Sequence, residues 1–259
     1  VTTATASRSA PVQKPVRSSA SAGGFVDIHC HLLPGLDDGP KTDEQSVRLA
    51  RAAVGGGTAA ICATPHASFQ YPYDPVGAGE SFVRLEQTLA DDLFLFTGCE
   101  LEISDESVRA FFENPLRYTL NRGRYLLVEL RMETPLARLP RLLDRFLGAD
   151  IQPILAHPER YPFAHERGQP LIDWVQGGGL MQATGCSFSG RMGRRARSTA
   201  FRLLDQGLLH FVASDAHDAL KRPPDLRGAW NTIEQRHGFD AAHALLIGNP
   251  LRVLRDEPL

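Results

Sequence analysis

The segment Phe25-Val26-Asp27-Ile28-His29-Cys30-His31 is an apolar run that ends in two histidines one residue apart. In a strand, residues i and i+2 point the same way. Both imidazoles can therefore reach one metal ion at the strand's end. Later apolar runs end alike: His66 follows Ile61-Cys62-Ala63-Thr64-Pro65, Glu100 follows 93–99, Glu129 follows 125–128, His157 follows 151–156, and Asp215 with His217 follows 211–214. Taken singly, His66 or His157 reads as a hydrogen-bonded loop histidine, and Glu129 or Asp215 as a cap or ion-pair member. Their joint placement at strand ends reverses that reading.

Working outward, Thr42 and Gln45 have capping-box spacing. Val47, Ala50, Ala53 and Val54 then make a helical stripe that Gly55-Gly56-Gly57 ends. The periodicity predicts strands at 58–63, 93–99, 124–129, 151–156, 180–184 and 208–214, and helices at 79–90, 135–147, 169–176, 192–206, 226–237 and 240–247, with an irregular helical stretch over 105–120. Seven strands alternating with helices imply a parallel sheet covered on both faces. No Gly-x-Gly-x-x-Gly follows the first strand, which removes the main signal for an open dinucleotide-binding sheet. A closed or nearly closed (β/α)7 barrel brings every strand's C-terminal end to one mouth. The expected fold is thus an α/β, TIM-like (β/α)7 barrel with its site at that mouth.

The 259 residues, 42% hydrophobic and 22% charged, suit one large globular domain. A net charge of −2 argues against nucleic acid or an anionic membrane as the main partner. No apolar run approaches the roughly 18 residues of a membrane span. The four scattered cysteines (Cys30, Cys62, Cys99 and Cys186) form no disulfide framework or Cys-x-x-Cys site and fit a reducing, cytoplasmic setting. Residues 1–24 are rich in Ser, Ala and Thr without the apolar core of a signal peptide. They are expected to be a disordered leader, with the domain running from 25 to 259.

Carboxylates and imidazoles together suit Mn, Fe or Zn, whereas Mg prefers oxygen ligands. His29, His31, Asp38, His66, Glu100, Glu129, His157, Asp215 and His217 make nine candidate ligands. That number is more consistent with three ions than with one or two. Such a cluster lowers the pKa of a bound water and stabilises charge on a phosphoryl or carbonyl oxygen. His165, His210, His237 and His243 lack the placement and read as structural or surface residues.

Arg160 and Arg222 stand beside proposed ligands. A guanidinium fork binds phosphate oxygens in pairs, so these two suggest a phosphate ester as substrate. The bland alternative is a surface ion pair with Glu159 or Asp218. Arg191, Arg194, Arg195 and Arg197 open a predicted helix, either as a solvated face or as a docking patch for an acidic or phosphorylated tail. Cys186 precedes Arg191 by one residue less than the cysteine-phosphatase pattern requires, so its thiol reads as packing.

The stretches Asp27-Ile28-His29-Cys30-His31, Leu36-Asp37-Asp38-Gly39-Pro40, Ala63-Thr64-Pro65-His66, Ala156-His157-Pro158-Glu159-Arg160 and Ser214-Asp215-Ala216-His217 resemble the polymerase-and-histidinol-phosphatase (PHP) superfamily. The Asp-Asp-Gly-Pro and His-Pro-Glu-Arg segments are similar to its bacterial protein-tyrosine phosphatases of capsule and exopolysaccharide systems. The resemblance runs from Phe25 to Leu254. It implies a distorted (β/α)7 barrel with three divalent ions, manganese favoured and iron or zinc possible. His29, His31, Glu100 and Asp215 would then hold the first ion. Glu100 would bridge to a second, held by Glu129 and His157, while Asp38, His66 and His217 hold the third. Arg160 and Arg222 match the phosphate-side arginines. The implied substrate is the phosphorylated tyrosine-rich tail of a membrane-bound bacterial tyrosine autokinase. Cys186 stands where the family more often has glycine, which could narrow the pocket. Three other functions compete: a histidinol-phosphate-like phosphatase, a metal-dependent nuclease, and a non-catalytic regulator that binds the kinase.

Overall fold

The computed structural model describes residues 23–259 apart from 91, 132, 133 and 167. The expected leader lies, but for Gly23 and Gly24, outside the described residues. Nine short strands form seven staves: β1 (Phe25–Cys30), β2 (Thr58–Ala63) continued by β3 (His66–Ala67), β4 (Phe94–Thr97) continued by β5 (Glu100–Glu102), β6 (Tyr125–Glu129), β7 (Gln152–Ala156), β8 (Leu180–Thr184) and β9 (Phe211–Ala213). All pairings are parallel, in the orders β1-β2-β4 and β3-β5-β6-β7-β8-β9. The ring closes between its first and last staves, where Asp215 N donates to His29 O at 2.8 Å and His31 N to Ala216 O at 2.9 Å. Asp27 helps the closure, its Oδ1 accepting from Ser214 N at 3.0 Å and His29 N at 3.2 Å. The fold is the predicted distorted (β/α)7 barrel.

The breaks within two staves have local causes. Pro65 has no N–H to donate, although its carbonyl still accepts from Glu100 N at 3.0 Å. At Gly98 a Cβ would meet Leu120 Cδ2 at 2.7 Å and Cys62 Sγ at 3.1 Å, so a side chain there would have to displace its buried neighbours. The last stave is shorter than predicted, beginning at Phe211.

Helices α1 (Asp43–Gly55), α2 (Pro75–Leu89), α3 (Asp105–Glu113), α4 (Leu139–Leu147), α5 (Pro162–Glu166), α6 (Gln169–Gln176), α7 (Gly185–Ser189), α8 (Arg194–Asp205), α9 (Leu226–His237), α10 (Phe239–His243) and α11 (Asn249–Leu254) connect the staves and finish the chain. The predicted helices at 169–176 and 226–237 match. The expected capping box of α1 is only half present: Thr42 accepts from Gln45 N, but Gln45 Oε1 takes Lys41 N at 2.7 Å, one residue further back. Helix α2 starts four residues earlier than predicted, because Asp74 accepts from Val76 N and Pro75 fits the first turn. The predicted helix at 240–247 is α10 followed by a π turn over Ala244–Gly248, and Pro250 opens α11.

Strand alternation sorts the core. Ile61 and Ala63 pack with Leu49 and Ala53 of α1 and Phe82 and Leu85 of α2, whereas Ala60 and Cys62 join the larger cluster running through the barrel. On α4, Leu139, Leu143 and Phe146 recur on one face and are buried. Each such side chain contributes on the order of 2 kcal/mol by leaving water. This packing holds the strand ends, and the polar side chains on them, in fixed positions.

Candidate metal centre

The nine predicted ligands all reach the mouth of the barrel. His29 Nε2 lies 3.2 Å from His31 Nε2. Glu100 Oε2 is 3.3 Å from each of these nitrogens, and Asp215 Oδ1 is 3.5 Å from each. A tetrahedral shell about 2.0–2.2 Å from an ion has edges of about 3.4 Å. These four atoms therefore have the spacing of a metal shell. The other Glu100 oxygen, Oε1, lies 2.9 Å from His157 Nε2, which is 3.5 Å from Glu129 Oε1. Glu100 is thus placed between two ligand groups.

A third group gathers Asp38, His66 and His217 beside His31. Asp38 Oδ1 is 3.0 Å from His217 Nε2 and 3.6 Å from His66 Nε2. His66 sits at a border, since its Nδ1 also lies 3.1 Å from Glu100 Oε2 and 3.5 Å from Glu129 Oε2. Backbone conformation aims two of the nine: His157 and Asp215 adopt left-handed φ values of 36° and 51° at their strand ends. Histidine and aspartate tolerate that region better than most residues.

The chemistry of the donor set fits divalent cations. Glu100 Oε2 and His66 Nδ1 are buried and make no hydrogen bond despite their proximity. Burial and the neighbouring Glu100 charge push the Glu129 carboxyl up to about 8. Burial, then Arg160, pulls the His157 imidazole down to about 4 and keeps it neutral, the form a metal needs. A bound cation would relieve the crowding of carboxylates.

A supporting ring of residues lies outside the sequence prediction. Asp37 Oδ2 meets His31 Nδ1 at 2.7 Å and accepts from His66 N at 3.0 Å. Gln182 Oε1 meets His29 Nδ1 at 2.8 Å. Such partners fix the tautomer and direction of a ligand histidine. The Asp37-Asp38 pair was visible in the sequence, but nothing there separates the ligand from its support.

Arg160 Nη1 and Arg222 Nη2 each donate to Asp215 Oδ2 at 2.7 Å. This corrects the ion pairs weighed from the sequence. Glu159 is buried, where its Oε1 accepts from Thr184 N at 3.0 Å and Ser187 Oγ at 2.6 Å. Asp218 folds its own loop, accepting from Leu220 N and Lys221 N. Both arginines line a cavity of about 290 Å³ with Asp38, His66, Glu100, Glu129, His157 and Asp215. Ser68, Gln70, Tyr71 and Glu102 complete its wall, and the Tyr71 ring stacks on His66. Cys186 does not narrow this cavity. It is buried with its Sγ 3.9 Å from Pro223 O, outside the lining, and burial pushes its thiol up. His165, His210, His237 and His243 lie outside the cluster, as expected.

A parallel barrel whose mouth gathers five imidazoles, four carboxylates and two arginines has the apparatus of a metal-assisted hydrolase. Residues 25–255 match the capsular polysaccharide synthesis family CpsB/CapC, and the chain belongs to that family. It is 32% identical to the tyrosine-protein phosphatase YwqE of Bacillus subtilis over 91% of this chain and 93% of that protein. It is 28% identical to the tyrosine-protein phosphatase CpsB of Streptococcus pneumoniae over 90% of this chain and 99% of that protein. The fold superposes with a TM-score of 0.84 on a crystal structure from a study of YwqE and CpsB, described as metal-dependent tyrosine phosphatases. That match has 31% identity and covers 91% of this chain and 96% of the solved one.

Proposed function

We propose that residues 25–259 form a metal-dependent phosphatase that hydrolyses protein phosphotyrosine. The substrate in this reading is the phosphorylated tyrosine-rich tail of a membrane-bound tyrosine autokinase, in the cytoplasm of a bacterium making capsule or exopolysaccharide. No helix among the described residues is long and apolar enough to cross a membrane. The observation that carries the reading is the two-sided environment of Asp215. Its Oδ1 faces His29 and His31, and its Oδ2 takes both arginines, so a cation site and an anion site share one wall.

His29, His31, Glu100 and Asp215 would hold one ion, Glu100, Glu129 and His157 a second, and Asp38, His66 and His217 a third, with manganese favoured over iron or zinc. When bound, the ions supply neutralising charge and a water deprotonated near neutral pH. Arg160 and Arg222 are the catalytic residues of the chain. Each keeps further N–H groups beyond the one given to Asp215, and those clamp phosphoryl oxygens as charge moves to the leaving phenolate. The buried Cys186 thiol takes no part. The Tyr71 ring, which lines the cavity and stacks on His66, suits an aromatic substrate better than a sugar or nucleotide.

The test is turnover of a phosphotyrosyl peptide, histidinol phosphate and DNA by the protein supplied with manganese. Preference for the peptide is expected. Preference for histidinol phosphate or DNA would replace the reading with a small-molecule phosphatase or a nuclease, and binding of phosphopeptide without turnover would make the chain a regulator.

A further inference from the structure

Arg160 lines a second cleft. A hollow of about 400 Å³ shares Arg160 with the metal cavity and is walled besides by His165, Met192, Gly193, Arg194, Arg195 and Ala196. Among the described residues no carboxylate lines it. Several other arginines have carboxylate partners: Arg236 pairs with Asp205, Arg138 with Asp105, Arg84 with Asp43 and Arg124 with Asp256. Arg194 and Arg195 are exposed, and neither has an ion pair or hydrogen bond through its side chain among the described residues. Arg191 and Arg197 are exposed beside them, and Arg197 Nε donates to Phe188 O at 3.2 Å. Helix α8 is held through its buried residues Thr199, Ala200, Leu203 and Leu204. Arg194 and Arg195 are therefore not needed to hold the helix.

We propose that this cleft is a second anion subsite, which takes an acidic or phosphorylated side chain of the same peptide that places its phosphotyrosine in the metal cavity. The inference rests on the phosphotyrosine reading above and adds to it a preference for anionic flanking sequence. Charge complementarity argues for the occupant: the guanidinium groups of Arg194 and Arg195 line the cleft without a carboxylate partner among the described residues and attract an anion, and guanidinium binds carboxylate and phosphate alike. Because Arg160 walls both cavities, they adjoin, so an extended chain advancing about 3.3–3.6 Å per residue spans them within a few residues.

The experiment is steady-state kinetics of the manganese-loaded enzyme on three phosphotyrosyl peptides that differ only in flanking residues: neutral, glutamate-bearing, and carrying a second phosphotyrosine. The wild type should show a KM roughly three- to tenfold lower for one or both anionic peptides than for the neutral one. Which of the two gains tells carboxylate from phosphate. R194A/R195A should lose that advantage while keeping kcat and the hydrolysis of a small aryl phosphate unchanged. Added salt should erase the advantage in the wild type. A wild type that uses all three peptides equally, or a double variant that keeps the preference, overturns the subsite alone. A wild type that hydrolyses the aryl phosphate but none of the peptides overturns the phosphotyrosine reading and the subsite together.

Discussion

Arg160 and Arg222 converge on a single oxygen, Oδ2 of Asp215, each at 2.7 Å. Two strand-end loops, one after β7 and one after β9, are thereby tied to the carboxylate that also faces His29 and His31. Burial weakens the Arg160 charge, but the surrounding carboxylates, Asp215 first, outweigh it and hold the guanidinium protonated. In the proposed reading a phosphoryl group entering the cavity would meet two fixed positive forks.

The first prediction follows from that arrangement. Arg160→Ala should lower turnover of a phosphotyrosyl peptide by roughly 10²-fold with metal content unchanged. Arg160→Lys should recover only part, since an ammonium keeps the charge but not the fork. Arg222→Ala should act in the same direction, with more effect on KM. Near-normal kinetics in the double alanine variant would reduce both to surface charges.

Asp37 tests the supporting ring. It orients His31 and His66 without belonging to the nine, so Asp37→Ala should weaken metal affinity by about 10–100-fold. Activity should return largely at saturating metal. Titration of the stripped protein with manganese reads the effect, and unchanged affinity would show that His31 needs no such partner.

Cys186→Ser should retain most activity. Its thiol is pushed up by burial and so is protonated at neutral pH, and it lies outside the cavity lining. Complete loss of turnover with metals still bound, or a trapped phosphocysteine, would contradict the account.

His210 gives a pH signature. Burial pulls its imidazole below the ordinary 6.5, and its Nδ1 accepts from Met181 N at 3.2 Å, which requires the neutral ring. Below the unfolded value the unfolded chain binds the extra proton more readily, so this contribution is present above pH 6.5 and is lost as pH falls through the folded value. His210→Asn keeps an acceptor without the titration. The difference in Tm between wild type and variant should therefore move against the wild type between about pH 7.5 and about pH 5.5. Parallel curves would show that His210 carries no linkage.

Much of this is legible in the sequence. The seven staves are apolar runs, and nine candidate ligands are visible because a parallel barrel delivers every strand end to one mouth. What stayed hidden is non-local. Asp27 bridges β1 and β9 across 187 positions, and no local pattern announces such a contact. Glu159 looks like a partner for Arg160 in sequence, yet it turns under β8 to serve Thr184 and Ser187. Helix α7 has five residues, too few for helical periodicity to register. The start of α2 is written in Asp74-Pro75, but no apolar stripe begins there to mark it.

The most direct test of the account is to strip the protein with a strong chelator, restore manganese stepwise, and follow metal content by elemental analysis beside turnover of a phosphotyrosyl peptide. The stripped protein should be inactive and activity should return with bound metal. Glu100→Gln should be the most damaging single ligand change, costing roughly 10²-fold or more, because that carboxylate stands between two ligand groups. Full activity in metal-free protein, or a Glu100→Gln variant as active as the wild type, would contradict the assignment of this barrel mouth as a metal-dependent phosphatase site.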